Sequence, residues 1–414
     1  MKISLETILQ RIIWLLTLLL FITFLIFETY AWGRYVFFGC CILIALLTSA
    51  MHRGVLRIRF RPYYGFFALF IVYVMTTALW AWDQPSAIRK AVTLVQILGC
   101  SAMLYIHYDR EDTIQGLLSA VKWAGYIVSV YAIFYYGLEN LGLEEGRRLE
   151  NEFSNVNTIG MTAALACVLQ VQELLYKRSR WSAVMMIPAV VMVAATQSRK
   201  ALVLLLAGAM GVYILKNLSK KGFANKLCKV VFSVAFVCVL LYLALRLPIF
   251  AGVMERMESM IAAWTGEGRA DGSALKRDQM VQIGWEYFLK YPIGGTGFGS
   301  SGILTQQHLG WSTYLHNNYV ELLSGGGVIG FLLYYALHGY ILVNLIRYRK
   351  ADPERFAIGV VWIILILIMD YGMVSYTSKL QWFYIMIHFM NVEHMKKKYR
   401  EMQENAKGPV EKRN

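Results

Sequence analysis

Residues 12–27 have the sequence IIWLLTLLLFITFLIF, a run without a charged residue in which Thr17 and Thr23 are the polar side chains. A helix needs about 20 largely apolar residues to cross roughly 30 Å of hydrocarbon, and this run with its flanks meets that length. No small-residue cleavage site follows before Glu28. The run is therefore predicted to be a retained first membrane span and not a removed signal peptide.

The same composition extends along the chain. Of its 414 residues, 57% are hydrophobic and 16% are charged, against about 25% charged in typical soluble domains. This excludes a water-soluble globular protein, and the predicted fold class is an all-α, polytopic integral membrane protein with about twelve transmembrane helices. The eleven further spans are predicted at residues 35–51, 63–80, 91–105, 114–137, 156–176, 182–196, 201–215, 230–250, 319–346, 356–371 and 380–392.

The net charge of +15 is distributed according to the side of the membrane. With the N-terminus inside, 26 of the 41 Lys and Arg residues fall in the cytoplasmic segments, and basic residues are enriched on that side of membrane proteins. Both termini are therefore predicted to be cytoplasmic, at the cell membrane. Because topology explains the positive excess, it does not indicate a nucleic-acid partner.

One predicted outer loop, residues 251–318, is long and nearly neutral. Apolar residues at helical spacing predict a surface helix from about Ser273 to Tyr291, lying along the membrane. Pro292 and the glycine-rich run GGTGFG at 294–299 end it. The run is not a nucleotide-binding loop, because no strand precedes it and no Lys-Ser/Thr pair follows it.

Four separated motifs lie on the same predicted side of the membrane. Together, in order and spacing, they resemble the O-antigen ligase and O-antigen polymerase superfamily of polytopic membrane glycosyltransferases over about residues 150–345. The motifs are Asn155-Val-Asn157 opening a span, Ser198-Arg199 between two spans, Arg277 fifteen residues before Pro292 and the Gly-x-Gly turn, and His316-Asn317-x-Tyr319 followed by Gly327-x-x-Gly330.

The resemblance implies a substrate and a set of partners. Members use a polyprenyl-pyrophosphate-linked oligosaccharide as donor, with neither a nucleotide sugar nor a metal ion or other cofactor. Membrane lipids are further partners, and a chain-length regulator and a flippase are possible ones. The implied organisation is N-terminal transmembrane helices at 1–150, an O-antigen ligase-like core at 151–346 that includes the loop 251–318, C-terminal transmembrane helices at 347–392 and a basic cytoplasmic tail at 393–414.

Glycosyl transfer from such a donor needs cations for the pyrophosphate and a base for the attacking hydroxyl. The planar fork of arginine suits phosphate oxygens and stays charged beside a membrane, which favours Arg199 and Arg277. Histidine accepts a proton near neutral pH, which favours His316 as the catalytic base. Snorkelling or surface charge is the alternative role for each arginine.

Six further residues are predicted to bind substrate: Lys200, Arg269, Asn155, Asn157, Asn317 and Tyr319. Asn155 and Asn157 have an alternative role as caps of the sixth span. Gly325 to Gly327 predict either a broken helix lining a cavity or close helix packing. Asp370 is costly in hydrocarbon, so it is predicted to face protein or water, as a hydrogen-bond partner more than as a catalytic acid.

Three functional classes compete. The favoured one is an enzyme that polymerises O-antigen, capsule or exopolysaccharide at the outer face of the membrane; its alternative is a ligase that delivers the finished glycan to lipid A core, protein or another surface acceptor. A transporter or flippase needs polar residues through the middle of several spans, and these are sparse here. A non-catalytic scaffold gives no reason for Arg199, Arg277 and His316 to share one side.

Overall fold

The computed structural model describes residues 4–27, 30–55, 59–109, 113–137, 154–218, 250–265 and 272–406, with the single residues 139, 141, 149, 235 and 246. These residues form helices and connecting turns and no strand. The helices within the described residues are α1 Leu5–Ile26, α2 Ala31–Met51, α3 Pro62–Thr77, α4 Gln84–Tyr108, α5 Ile114–Tyr136, α6 Val156–Lys177, α7 Arg180–Ala195, α8 Arg199–Leu218, α9 Ala251–Thr265, α10 Gly272–Lys290, α11 Ser301–Leu309, α12 Asn318–Arg347, α13 Pro353–Gly372 and α14 Lys379–Ala406.

The predicted spans coincide with helices wherever the structure describes them. Eight helices in the described part of the chain are long and apolar enough to cross a membrane, namely α1, α2, α4, α5, α6, α8, α12 and α13. Helices α3 and α7 are apolar but shorter, at 16 residues each. The predicted span at 230–250 lies almost entirely outside the described residues. The all-α, polytopic fold is confirmed.

The outer surface of the bundle is apolar. Leu46, Val72, Phe134 and Ile187 lie on four different helices, and each is at least half exposed. Single exposed apolar residues are normal in soluble proteins, but rows of them on long apolar helices expose a surface that water would not tolerate. These faces are suited to contact with lipid tails.

Helix α14 forms the centre of the bundle. Every residue from Gln381 to Val392 is buried, and the helix contacts α4, α5, α12 and α13. The ring of Trp382 stacks on Phe67 of α3 with centroids 3.5 Å apart and planes 5° apart. A helix that is apolar on all sides packs in the interior. The helix continues to Ala406, so the predicted span at 380–392 is the buried first half of a longer helix.

The helix predicted from about Ser273 to Tyr291 is confirmed as α10, Gly272–Lys290, while its position along the membrane stays a prediction. One of its faces is buried against the protein through Ile283 and Tyr287, while Trp285 and Leu289 on another face are exposed. An exposed apolar face beside a membrane-spanning bundle fits a helix that lies along the lipid surface.

Two glycine clusters that lie 28 residues apart in the chain pack against each other. Helix α12 is broken at Gly327, whose φ of +62° and ψ of −167° are not helical. The glycine turn after α10 fills the break: Thr296 N donates to Ser324 O at 2.8 Å, and Val328 N donates to Pro292 O at 2.8 Å. A Cβ on Gly295 would lie 2.5 Å from the carbonyl carbon of Gly325. The predicted break of the helix and the predicted close packing are therefore both present, while the lining of a cavity by these glycines stays a prediction.

Candidate functional site

The residues that the sequence singles out lie around the start of α12. His316 precedes the helix in a left-handed conformation, with φ of +56°, and its ring packs on Tyr314 with centroids 4.1 Å apart. Asn317 begins the helix, because its side-chain oxygen accepts the Val320 N–H at 3.1 Å. A left-handed residue directly before a capped helix has few alternative conformations. The backbone therefore fixes the position of the His316 imidazole.

A buried carboxylate holds this loop in place. Glu321 is 2% exposed, and one of its oxygens accepts the Leu315 N–H at 3.0 Å, one residue before His316. The other oxygen accepts the Ser301 hydroxyl at 2.7 Å and pairs with Lys90 Nζ at 3.4 Å. Buried carboxylates are tolerated when paired and hydrogen-bonded in this way. Glu321 thus joins α4, α11 and the His316 loop.

The sequence interpretation did not single out Lys90 or Glu321. Lys90 lies near the start of α4, and its Nζ also donates to the Tyr376 hydroxyl at 2.6 Å. The sequence nevertheless contains an indication for Lys90. The pair Arg89-Lys90 precedes a span on the predicted outer side, as Arg199-Lys200 does, whereas basic residues are usually enriched on the cytoplasmic side. Glu321 is an acid inside an apolar span, which is itself an indication of function.

Positive charge converges on His316. Partial burial, with the charges of Arg277 and Lys200, lowers the pKa of His316 to about 4, and Glu321 opposes this by raising it. Arg277 is half-buried on α10, a helix that contacts α12. The imidazole is therefore neutral at pH 7 and has a nitrogen lone pair available to accept a proton.

The turn between α7 and α8 carries two of the cations that the sequence singled out, Arg199 and Lys200. Arg199 is the first residue of α8, and Lys200 follows it, with its Nζ donating to the carbonyl oxygen of Gly372 at the end of α13. A cation at the C-terminal end of a helix interacts favourably with its carbonyls. Lys200 therefore also ties α8 to α13, while its charge acts on His316.

A cavity of about 680 Å³ opens next to Lys90 and to Tyr314, the ring that packs on His316. His316, Arg199, Lys200 and Arg277 are not among the residues that line it. Its polar wall includes Lys90, Tyr314 and hydroxyl side chains such as Thr158 and Ser378, and apolar residues such as Leu165 form the rest. Volumes of roughly 300–1,000 Å³ are usual for small-molecule sites. A cavity with cationic and hydroxyl groups on one wall and apolar groups on another fits an amphiphilic substrate with a charged head.

Residues 159–335, which carry the His316 loop, match the family model described as O-antigen ligase. This region is therefore similar to O-antigen ligases. The match confirms the resemblance seen in the motifs. No curated protein matches the chain.

The O-antigen ligase region contains most of the cluster and not all of it. Arg199, Lys200, Arg277, His316 and Glu321 lie within it. Lys90 lies outside, on α4, and reaches the cluster because α4 packs on α3 and α14. The N-terminal helices, whose sequence resembles the superfamily only as generic spans, therefore contribute a side chain to the site.

Most of the other predicted substrate-binding residues make hydrogen bonds within the protein. The Asn155 side chain accepts the Asn157 N–H at 2.9 Å and caps α6, next to Thr158 of the cavity wall. Tyr319 donates its hydroxyl to Leu367 O at 2.7 Å, which attaches α12 to α13. Asn317 has the capping contact described above, and Arg269 lies outside the described residues. Contacts with substrate stay a prediction for all five residues.

Asp370 forms a buried hydrogen-bond centre beside the start of α12. It is fully buried and accepts from Tyr335 OH at 2.9 Å and from Asn318 Nδ2 at 3.3 Å, as well as from the Ser375 hydroxyl. Asn318 Oδ1 in turn accepts the Ser375 N–H at 2.9 Å. The predicted hydrogen-bonding role of Asp370 agrees with these contacts, which join the start of α12 to the α13–α14 connection.

Proposed function

We propose that the protein polymerises a cell-surface polysaccharide such as O-antigen, capsule or exopolysaccharide, by transferring a polyprenyl-pyrophosphate-linked glycan to a sugar hydroxyl at the outer face of the cell membrane. The observation that supports this most directly is the neutral His316 imidazole inside a group of cations, beside a cavity with polar and apolar walls. Similarity to O-antigen ligases supports the reaction class.

In the proposed step, an acceptor hydroxyl oxygen attacks the anomeric carbon of the donor glycan. The bond from that carbon to the pyrophosphate oxygen breaks, and the pyrophosphate leaves with the electron pair. His316 takes the hydroxyl proton, while Arg199 and Arg277 hold the pyrophosphate oxygens and offset their growing charge. Lys90 is a further candidate for this last role, because it lines the cavity.

Donor binding is expected to increase the basicity of His316. The charges of Arg277 and Lys200 lower its pKa in the free protein. A pyrophosphate held by these cations offsets their effect, and nearby negative charge raises the pKa of an imidazole. The base therefore approaches the pKa best suited to neutral pH only once the donor is in place.

Loss of the base tests the proposal. His316→Ala is expected to lower the transfer rate by about 10²–10⁴-fold, the usual contribution of a general base, in purified protein supplied with a polyprenyl-pyrophosphate repeat unit. His308→Ala is the matched control, since His308 is exposed on α11 and outside the cluster. Equal rates for wild type and His316→Ala, at equal amounts of folded protein, would contradict the assigned base.

The same assay separates the polymerase from a ligase. A polymerase supplied with one lipid-linked repeat unit as both donor and acceptor makes a ladder of longer lipid-linked chains. A ligase makes no ladder and transfers the chain only when a lipid A core or other acceptor is added. Transfer that requires such an acceptor would overturn the polymerase assignment and leave the roles of His316 and the arginines intact.

A further inference from the structure

A second cavity, of about 560 Å³, lies at the end of the bundle opposite His316. It is formed where α3 begins and α4 ends, beside the second half of α14. Lys90 and Asp109 mark the two ends of α4, and 19 residues of helix separate them by about 28 Å. The cavity is therefore distinct from the proposed transfer site.

The walls of this cavity carry a surplus of positive charge. Five basic side chains line it: Arg59, Arg61, Lys396, Lys397 and Arg400. Two acids face them. Arg61 donates to both oxygens of Asp109, at 2.9 and 3.1 Å, and to Glu393 at 3.0 Å. The acids thus hold Arg61 in place, and Glu393 also pairs with Lys396 at 3.8 Å. Lys397 pairs with Glu401 at 3.9 Å. Five basic side chains against these three acids leave the cavity region with a surplus of two positive charges.

Two nitrogens at the cavity are buried without a hydrogen-bond partner among the described residues. They are Nε of Arg61 and Nδ1 of His394. The guanidinium Nε–H is always a donor, and a buried donor without an acceptor costs free energy. A ligand that brings acceptor oxygens into the cavity would satisfy Arg61 and balance the surplus charge at the same time.

The surroundings of the cavity favour a lipid as the source of those oxygens. Phe60 lies between Arg59 and Arg61 in the chain and is 81% exposed, and Val55 is also exposed. Ile114 and Met390 add apolar surface inside the cavity. An exposed aromatic ring between two arginines, at the end of a membrane-spanning bundle, fits the headgroup region of a bilayer.

We propose that this cavity binds the phosphate of an anionic phospholipid headgroup. Phosphate oxygens accept from guanidinium and ammonium groups, and arginine in particular matches their geometry. A single phosphodiester charge reduces the positive surplus without reversing it. The site stands independently of the proposed glycan transfer, since it shares no lining residue with the cavity beside His316.

Native mass spectrometry of the full-length protein in detergent tests the proposal. Phosphatidylglycerol and phosphatidylcholine with the same acyl chains are titrated separately, with wild type and the double variant Arg59→Gln/Arg400→Gln. Wild type is expected to retain phosphatidylglycerol at least fivefold better than phosphatidylcholine. The double variant is expected to lose most of this preference, because both substitutions leave the Arg61 contacts with Asp109 and Glu393 intact.

A matched variant separates a site from general surface charge. Arg349→Gln/Lys350→Gln removes the same charge from two exposed residues at the same end of the bundle, outside the cavity. Its preference for phosphatidylglycerol is expected to stay within about twofold of wild type. An equal loss in both double variants, or no loss in either, would overturn the proposal.

A soluble probe identifies the source of the phosphate. Glycerol 3-phosphate carries the same chemical group without acyl chains. If it displaces phosphatidylglycerol from wild type only at much higher concentration, the lipid assignment is supported. If it binds while phosphatidylglycerol does not, a free phosphate compound is the ligand and the lipid assignment is wrong.

Discussion

The two ends of the helix bundle use basic residues in different ways. At the end opposite His316, Arg61 is paired with Asp109 at 2.9 Å and with Glu393 at 3.0 Å. At the His316 end, the charges of Arg277 and Lys200 act on a histidine. Grouping like charges costs free energy unless negative charge compensates them, and the pKa of His316 stays low although Glu321 raises it. The contrast indicates that Arg61 holds the fold together through its carboxylate partners, whereas Arg277 and Lys200 act on the proposed catalytic base.

Removing a cation from the His316 end is expected to affect turnover more than stability. Arg277→Ala should lower the transfer rate by about 100-fold or more, the scale on which loss of one group that stabilises developing negative charge is felt. Lys276→Ala, one position away on α10, is the matched control, because Lys276 is exposed and packs over the ring of Trp311. Its rate should stay within about twofold of wild type. Similar losses in the two variants would mean that the helix, and not the Arg277 charge, is what matters.

At the end opposite His316, removal of a cation is expected to affect stability more than turnover. Arg61→Ala leaves Asp109 and Glu393 without their arginine partner. Breaking a partly buried ion pair should lower the free energy of unfolding by about 1–3 kcal/mol, with little change in turnover of the protein that remains folded. Thermal unfolding in detergent, together with turnover per folded molecule, checks this. A large fall in turnover with unchanged stability would contradict the contrast between the ends.

The contact between Gly327 of α12 and the glycine turn after α10 is expected to require a glycine at position 327. A Cβ at Gly327 would lie 2.1 Å from Ile293 O, at a φ of +62°. Gly327→Ala is therefore expected to cost about 1–3 kcal/mol of stability, or to displace the glycine turn from α12. Gly339→Ala lies in the same helix, where a Cβ would meet no atom within 4 Å. That control should be neutral or slightly stabilising, as measured by thermal unfolding in detergent.

The sequence predicts those parts of the molecule that depend on local composition. Apolar length gives the spans, helical spacing gives α10, and clustered glycines give the break at Gly327. Contacts between residues far apart in the chain leave no such local pattern. Lys90 and Glu321 are 231 positions apart, and the packing of α4 on α3 and α14 places Lys90 where it meets Glu321. For the same reason, the hydrogen bonds that Asn318 makes to the α13–α14 connection could not be predicted.

Charge and geometry can be separated at Glu321, the carboxylate that touches both Lys90 and the His316 loop. Glu321→Gln keeps one oxygen for the Leu315 N–H and removes the negative charge beside Lys90. Turnover is expected to fall about tenfold, because a buried lysine loses its partner and the loop becomes less well fixed. Glu286→Gln is the control, since Glu286 is exposed and pairs with Lys290 along α10. Unchanged turnover in Glu321→Gln would exclude a positioning role for Glu321.

The pH profile is the most direct measure of the charge at the His316 end. A base must be deprotonated, so kcat/KM falls as pH drops through the pKa of His316 in the free protein. Because that pKa is lowered to about 4, the rate should be nearly constant from pH 8 to about pH 5 and fall only below it.

In Arg277→Gln one of the charges that lowers the pKa is removed, so the residual activity should begin to fall at a higher pH, still below the ordinary histidine value near 6.5. In Lys276→Gln the profile should not move. If kcat/KM of wild type already fell near pH 6.5, the cations would not act on His316. The contrast between the two ends would then lose its electrostatic part.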